Sequence, residues 1–267
     1  MDRKNLIKIV TYVMPWEMDE FDRMITTFAR SRYYLSDENK VNFKVEEGDK
    51  LLGCNDLRRN VLRNSDEDCG ILWVDSDIQF PVHLLKVMFD VYNHCSDDYF
   101  IVTPQTIKLW DDSWDPIVNE YFINKGYDSR LNYDFYHLDI LNEGYRDKIN
   151  INPCNFIKFA GGLFTLYSSN LLKYVDIPDS FLSYGFDDTY MLFSCAEMKN
   201  NGFNINQYLI KNIVVAENYK MQNIDITKNP YERLLVKHKS KADIRTDNKV
   251  NFENEIQKMI KKIRGKS

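Results

Sequence analysis

Two aspartates, Asp75 and Asp77, directly follow a short apolar run at residues 71–74. A run of this length, bounded by a glycine before it and polar residues after it, is typical of a strand buried on both faces. Open α/β sheets bind ligands beyond the carboxyl ends of their strands. Carboxylates at positions i and i+2 there suit a hard divalent cation, which in turn binds phosphate oxygens. The alternative is an ordinary polar exit from a strand.

A second acidic pair, Asp187 and Asp188, precedes a helix predicted at residues 189–199. The positive end of a helix dipole stabilises carboxylates at this position, and a carboxylate held there can accept a proton from a substrate hydroxyl. The alternative is structural, because aspartate is also a common N-cap residue. The glycine and phenylalanine before the pair, together with the upstream acidic motif, favour a role in chemistry.

Basic residues come before the first acidic motif, on a helix predicted at Cys54–Arg63. This helix carries Arg58, Arg59 and Asn60, which we expect on the side of a bound nucleotide. A solvated helix face is the alternative, since charged residues at helical spacing usually point to water. The sequence leaves both interpretations open.

The elements that must position these residues alternate between strand and helix. Strands are predicted at residues 6–13, 41–45, 70–74, 98–106, 156–167 and 208–215, and helices at residues 19–35, 54–63, 82–92, 169–175, 189–199 and 251–263. Such alternation favours an α/β fold with one mostly parallel, Rossmann-like sheet and helices on both faces. Gly161 and Gly162 lie inside a predicted strand, where they let another backbone or a ligand approach closely.

The composition of the 267-residue chain is that of a globular protein, with 44% hydrophobic and 28% charged residues. The net charge of -5 gives no support to a nucleic-acid or membrane surface, although residues 258–266 are locally basic. Five scattered cysteines form no C-x-x-C pair, which favours a reducing compartment and hence the cytoplasm. The apolar residues near the N-terminus are too few for a signal peptide or a membrane span.

Three motifs now occur in order: R-R-N at residues 58–60, D-S-D-I-x-x-P at residues 75–81, and G-G followed by G-F-D-D at residues 161–188. Together they resemble the GT-A-fold nucleotide-sugar glycosyltransferases of the family 2-like group. Around the first two motifs the chain also resembles fungal mannan-polymerase mannosyltransferases. The resemblance implies transfer of a sugar from a nucleoside-diphosphate sugar, such as a UDP- or GDP-sugar, to an acceptor hydroxyl, with Mn²⁺ or Mg²⁺ as cofactor.

The resemblance also implies roles for individual residues. Asp75 and Asp77 match the metal motif, in which the first aspartate also contacts the ribose or a metal-bound water. Asp188 corresponds to the catalytic base of inverting members and Asp187 to an acceptor-binding carboxylate. The remaining matches belong to the donor site: Thr11 and Tyr12 beside the nucleobase, Glu46 and Glu47 after the second strand where Asp is usual, Arg59 and Asn60 near the ribose and diphosphate, and Gly161 and Gly162 near the sugar.

The resemblance implies a single catalytic domain with two functional halves. Residues 1–107 would bind the nucleotide-sugar, residues 108–250 the acceptor, and residues 251–267 would form a basic amphipathic helix. Residues 108–152 are rich in Trp, Tyr, Asp and Asn with little periodicity. Such a segment either packs at the periphery or covers a substrate.

One position departs from the family pattern. Many relatives carry a histidine soon after the last strand as a third metal or diphosphate ligand, whereas this chain has Glu217 and Asn218 there. His238 is the candidate replacement, and an exposed histidine in a basic loop is the alternative. Stereochemistry stays open as well, since the family 2-like resemblance implies inversion and the mannosyltransferase resemblance implies retention.

Two other functions agree with parts of the pattern. A sugar nucleotidyltransferase also uses paired carboxylates with Mg²⁺, but typically carries a Gly-rich basic loop where this chain has M-P-W-E-M-D-E. A non-catalytic carbohydrate-binding protein would keep the fold, and the intact Asp75, Asp77 and Asp188 argue against it. The acceptor class stays open among glycan, protein, lipid-linked sugar and modified DNA base.

Overall fold

One eight-stranded mixed sheet organises the part of the chain that the structure describes. This computed structural model describes residues 6–13, 18–32, 35, 40–47, 54–64, 69–76, 78–80, 84–107, 151–154, 164–181, 185–217 and 241–265. The strands are β1 (Leu6–Val13), β2 (Lys40–Glu47), β3 (Gly70–Val74), β4 (Ile78–Gln79), β5 (Tyr99–Ile107), β6 (Ile151–Cys154), β7 (Phe164–Tyr167) and β8 (Ile205–Glu217). The helices are α1 (Met18–Ser31), α2 (Cys54–Arg63), α3 (Leu84–His94), α4 (Ser169–Leu172), α5 (Asp187–Asn200) and α6 (Lys241–Arg264).

The strands follow the order β2-β1-β3-β7-β5-β8-β4, with β6 also paired to β8. From the pairings, β1, β2, β3, β5 and β8 run in one direction and β4, β6 and β7 in the other. The predicted α/β class with a mostly parallel sheet is therefore confirmed. The reversal of β7 between β3 and β5 was not predicted, because a strand buried on both faces has the same apolar pattern in either direction.

Two hydrophobic cores cover the two faces of the sheet, as expected for helices packed on both sides. Helices α1 and α3 pack on one face, and their core includes Ile9, Met24, Leu72, Phe89 and Val102. Helices α2, α4, α5 and α6 pack on the other face, and their core includes Val61, Trp73, Leu171, Cys195 and Met259. The candidate site lies on the side of this second core.

The central strand β3 is buried along its whole length, as its sequence predicts. At its start, Gly70 lies against the ring of Tyr92 from α3. A Cβ atom at position 70 would stand 2.6 Å from Cε2 of Tyr92, so the absence of a side chain is what lets this ring pack against the strand. Gly70 thereby fixes how α3 meets the strand that leads into Asp75.

The helices α5 and α6 both begin earlier than predicted. Helix α5 begins at Asp187, so the acidic pair forms its first turn, and α6 begins at Lys241 rather than at residue 251. The basic end predicted for the last helix is present, with Lys261, Lys262 and Arg264 in its last turn. Among the described residues, no helix combines the length and the apolar content needed to cross a bilayer. Residues 108–150 lie outside the described part of the chain.

Candidate active site

Asp75 stands at the carboxyl end of β3, where the chain turns into β4. Its carbonyl accepts a hydrogen bond of 3.2 Å from the amide of Ile78, which closes the turn. The residue is 9% exposed, so its carboxylate is largely withdrawn from water and needs a partner. Asp77, the second aspartate of the motif, lies outside the described residues.

Arg58 of α2 supplies that partner and joins the two predicted acidic motifs. Its Nη2 donates to Oδ1 of Asp75 at 2.8 Å, and its Nη1 donates to Oδ2 of Asp187. The side chains of Arg58, Asp75 and Asp187 are 6%, 12% and 7% exposed. A buried cation shared by two carboxylates is a high-energy arrangement unless all of its members stay together. The ion cluster therefore fixes the end of β3 against the start of α5.

Two aromatic rings hold the guanidinium of Arg58 in place. Its Cζ lies 5.1 Å from the ring centroid of Tyr12 on β1 and 5.7 Å from that of Trp73 on β3. A guanidinium packs well on aromatic faces, and the contact restricts its plane while its edges donate to carboxylates. The side chain of Tyr12, predicted beside a nucleobase, thus lies next to the ion cluster.

Helix α5 begins from a strained turn. Gly185 and Phe186 have φ values of 81° and 66°, which place both in the left-handed region. A bulky residue such as phenylalanine is rarely found there, at a cost of about 1–2 kcal/mol. The carbonyl of Gly185 accepts two amide hydrogen bonds of 3.0 Å, from Asn55 of α2 and Asn248 of α6. We call residues 185–188 the acidic turn.

The two aspartates of the acidic turn have different surroundings. Asp187 is 5% exposed and faces Arg58, whereas Asp188 is only half-buried. Oδ1 of Asp188 accepts hydrogen bonds from the amide of Thr189 at 2.6 Å and from its hydroxyl at 3.2 Å. Asp187 thus pairs with Arg58 through one carboxylate oxygen, while Asp188 has the exposure that a group acting on substrate requires.

Arg59 is buried and fastens α2 to the loop that follows α4. Its Nε donates to the carbonyl of Ile177 at 3.1 Å, and its Nη2 donates to the carbonyls of Pro178 and Phe181 at 2.8 and 2.9 Å. Its Nη1 donates to Asp56 at 2.9 Å. The solvated-face alternative is wrong for Arg58 and Arg59, which are 5% and 8% exposed, while Asn60 is exposed. Nucleotide contacts by Arg59 and Asn60 stay predictions.

The remaining residues predicted to bind the sugar donor either lie at the same edge of the sheet or lie outside the described residues. Thr11 is fully buried at the end of β1, and its hydroxyl has no hydrogen-bond partner among the described residues. Side chains alternate along a strand, so Thr11 faces away from Tyr12 and the ion cluster. Glu46 and Glu47 end β2, paired in register with Tyr12 and Val13. The predicted residues that the structure does not describe are Gly161, Gly162, Asp77 and His238.

The carboxylate of Asp75 is suited to be one of several ligands of a divalent cation. A carboxylate at a strand end is a hard oxygen donor of the kind that Mg²⁺ and Mn²⁺ prefer, although Oδ1 already accepts from Arg58. Within the described ranges, no three His, Cys, Asp or Glu side chains come together as a ligand set. Further ligands have to come from elsewhere, and the sequence predicts Asp77 and His238.

No family model matches the chain, and no curated protein sequence matches it either. Among solved structures, the chain is similar to S. aureus TarS fragment 1–349, with a TM-score of 0.48, 11% identity, and coverage of 87% of this chain and 70% of that one. The complex of the fragment with UDP gives a TM-score of 0.44 at 12% identity, covering 77% and 60% of the two chains. The complex with UDP-GlcNAc gives 0.41 at 12% identity, covering 77% and 58%. The chain spans 42% of the longer TarS structure. These values do not assign the chain to a family.

Proposed function

We propose that this chain is a glycosyltransferase that moves a sugar from a nucleoside-diphosphate sugar to an acceptor hydroxyl. The observation that carries the proposal is the buried bridge from Asp75 through Arg58 to Asp187, with Asp188 half-buried beside it. This bridge joins a carboxylate at a strand end, where α/β sheets bind ligands, to a carboxylate at a helix start, where a base can be held. The proposed inverting transfer uses both groups at one site.

On the donor side, we assign the cation to Asp75 and Asp77, with His238 as a further candidate ligand. Mn²⁺ or Mg²⁺, when bound, supplies positive charge for the diphosphate leaving group. The residues proposed to surround the donor are those that the sequence assigns to it, except Thr11, whose buried side chain faces away from Tyr12. They are Tyr12, Glu46, Glu47, Arg59, Asn60, Gly161 and Gly162. UDP- and GDP-sugars are the first donors to test.

On the acceptor side, Asp188 is the proposed base. The acceptor oxygen forms a bond to the anomeric carbon, and the bond from that carbon to the diphosphate breaks with its electron pair leaving on the diphosphate. The hydroxyl proton passes to the carboxylate of Asp188. Because the acceptor oxygen attacks from the face opposite the leaving diphosphate in one displacement, the proposed transfer inverts the anomeric centre. Asp187 pairs with Arg58 beside it and is proposed as the acceptor-binding carboxylate.

The first test is thermal stabilisation of the whole chain by UDP, GDP, CMP and TDP, each with and without Mn²⁺. A ligand that binds only the folded chain raises its melting temperature by mass action. We expect one nucleoside diphosphate to stabilise the protein in a metal-dependent manner, and Asp77→Ala to remove that effect. Release of free sugar from UDP-GlcNAc, UDP-glucose and GDP-mannose then measures turnover with water as acceptor.

Asp176→Asn is a suitable control for Asp77→Ala, because Asp176 pairs with Arg63 at the surface, away from the ion cluster. This variant should keep the stabilisation. Absence of stabilisation by all four nucleotides, together with no sugar release from any of the three donors, would contradict the proposal.

A further inference from the structure

The acidic turn is held by a residue far from it in sequence, Asn248 of α6. We propose that Asn248 is a positioning residue that sets the direction of Asp187 and Asp188 for the transfer step. This inference rests on the proposed function, since it assigns the acidic turn to catalysis. The hydrogen bond concerned joins Nδ2 of Asn248 to the carbonyl oxygen of Gly185 at 3.0 Å.

Backbone strain shows that the acidic turn needs such support. Phe186 has φ 66° and ψ -2°, directly before the first residue of α5. A non-glycine residue persists in this region only where its surroundings over-determine the conformation. Without external contacts the turn would relax, and the first turn of α5 would reorient with it.

Two helices provide these contacts from different parts of the chain. Asn55 of α2 donates to the Gly185 carbonyl at 3.0 Å, and the same helix carries Arg58, which bonds Asp187. Asn248 supplies the second amide from α6. Both asparagines are 0% exposed, so neither amide can exchange this carbonyl for water without opening the packing.

Helix α6 contacts two consecutive residues of the acidic turn, Gly185 and Phe186. Asn248 bonds the carbonyl of Gly185, and the ring of Phe252 lies 5.9 Å from the ring of Phe186. Positions 248 and 252 are four apart and share one face of a helix. A single face of α6 therefore fixes both the backbone and the side chain at the point where the chain enters α5.

Asn248 and Arg58 hold the acidic turn from two different helices, and Arg58 also joins the turn to Asp75. Asp75 lies at the end of β3, whereas Asn248 bonds the backbone of the turn that carries Asp188. Loss of the Asn248 amide should thus misplace the base while the nucleotide site keeps its affinity. A small misplacement of a reacting group lowers the rate steeply.

The test compares Asn248→Ala with Asn251→Ala in the full-length chain. Asn251 lies on the same helix and also donates one 3.0 Å bond to a backbone carbonyl, that of Ser180. With UDP-GlcNAc, UDP-glucose and GDP-mannose as donors, we expect Asn248→Ala to lower kcat for sugar release by about 10- to 100-fold with an unchanged donor KM. Asn251→Ala should keep kcat close to wild type despite a similar loss of one hydrogen bond. Equal kcat values for the two variants would overturn the inference.

Hydrogen–deuterium exchange gives a second readout that does not depend on turnover. The amide of Tyr190 donates to the carbonyl of Phe186 at 2.8 Å, so its exchange reports the opening of the acidic turn. We expect faster exchange at residues 185–190 in Asn248→Ala and not in Asn251→Ala. Unchanged exchange in Asn248→Ala would overturn the positioning role. A wild-type chain that neither binds nor turns over any donor would instead contradict the proposed function, whatever the exchange shows.

Discussion

Arg58 donates a hydrogen bond of 2.8 Å to Asp75, and both side chains are nearly excluded from water. Because Arg58 also bonds Asp187, two carboxylates that lie more than a hundred positions apart in the chain share one buried cation. The desolvation of all three groups has already taken place on folding. The loss of any one partner therefore costs more than the loss of a comparable ion pair at the surface.

We predict that Arg58→Ala lowers the free energy of unfolding by about 3–5 kcal/mol, because two buried carboxylates lose their counter-charge. Urea denaturation followed by circular dichroism measures the change. The control is Arg63→Ala on the same helix, whose side chain is 41% exposed and pairs with Asp176 and Asp179. That variant should lose about 1 kcal/mol or less. Equal losses in the two variants would show that the Arg58 cluster is not held as described.

Asp188→Asn should retain nucleotide binding and lose transfer. The amide keeps the shape of the side chain, and one of its atoms can still accept from Thr189, but it cannot take up the hydroxyl proton. We expect kcat to fall by about 10²- to 10⁴-fold with little change in the melting temperature. Thermal shift with the stabilising nucleotide and an assay of sugar release measure the two properties. A normal rate in this variant would mean that Asp188 is not the base.

A second polar cluster, far from the acidic turn, should make stability depend on pH. Burial raises the pKa of Asp97, but hydrogen bonds from Tyr208, Asn206, Cys95 and Asn204 outweigh this and lower it below its ordinary value of 3.8. A carboxyl group whose pKa is lowered by folding contributes stability above its unfolded pKa and loses it as the pH falls through the folded value. The contribution of Asp97 is therefore complete at neutral pH and disappears in acid.

Tyr208→Phe isolates this contribution, since it removes the hydroxyl that donates to Asp97 and keeps the ring that packs on Phe100 at 6.2 Å. We predict a loss of about 1–2 kcal/mol at pH 7. The difference between variant and wild type should shrink as the pH falls below 3.8 and through the lower pKa of Asp97 in the folded wild type, beneath which the carboxyl group is protonated in both proteins. Denaturation curves at a series of pH values measure it. A difference that stays constant down to pH about 2 would contradict the assignment.

Gly70→Ala should destabilise the chain, because its Cβ would stand 2.6 Å from the ring of Tyr92. The ring is 3% exposed and packs on Phe100, so it has little room to move. Overpacking of this kind costs about 1–3 kcal/mol. In a double-mutant cycle, Tyr92→Leu should remove most of that penalty, since the smaller side chain frees the space. Additive effects of the two substitutions would indicate that Tyr92 is not the obstacle.

The sequence predicted the parts of the site that follow local patterns. The apolar run before Asp75 forms a buried strand, and Asp187 and Asp188 begin a helix. The sequence also contains a feature, not used in the prediction, that indicates the burial of Arg58. This residue lies next to Leu57 and three positions before Val61, on the apolar face of α2, where a charged side chain needs a buried partner.

Other features of the site depend on tertiary packing and have no local signature. Asn55 and Asn248 look like ordinary polar helix residues in sequence, and only the packed structure brings both amides to one carbonyl. The burial of Arg59 is similar, because most of its partners are backbone carbonyls and any sequence can supply those. The direction of β7 is also set by packing, since its apolar residues fit either orientation.

The sequence separation of the Arg58 and Asn248 contacts affects the order in which the site forms as the chain is synthesised and folds. Arg58 and Asp75 are 17 positions apart, but Arg58 meets Asp187 across 129 positions, and Gly185 meets Asn248 across a further 63. Long-range contacts form slowly, because the connecting chain must be ordered before they stabilise anything. A nascent chain elongated only through α5 already contains every charged group of the ion cluster, yet it lacks the amide that fixes the acidic turn. The proposed sugar transfer should therefore begin only after α6 has been synthesised and has docked, later than most of the sheet.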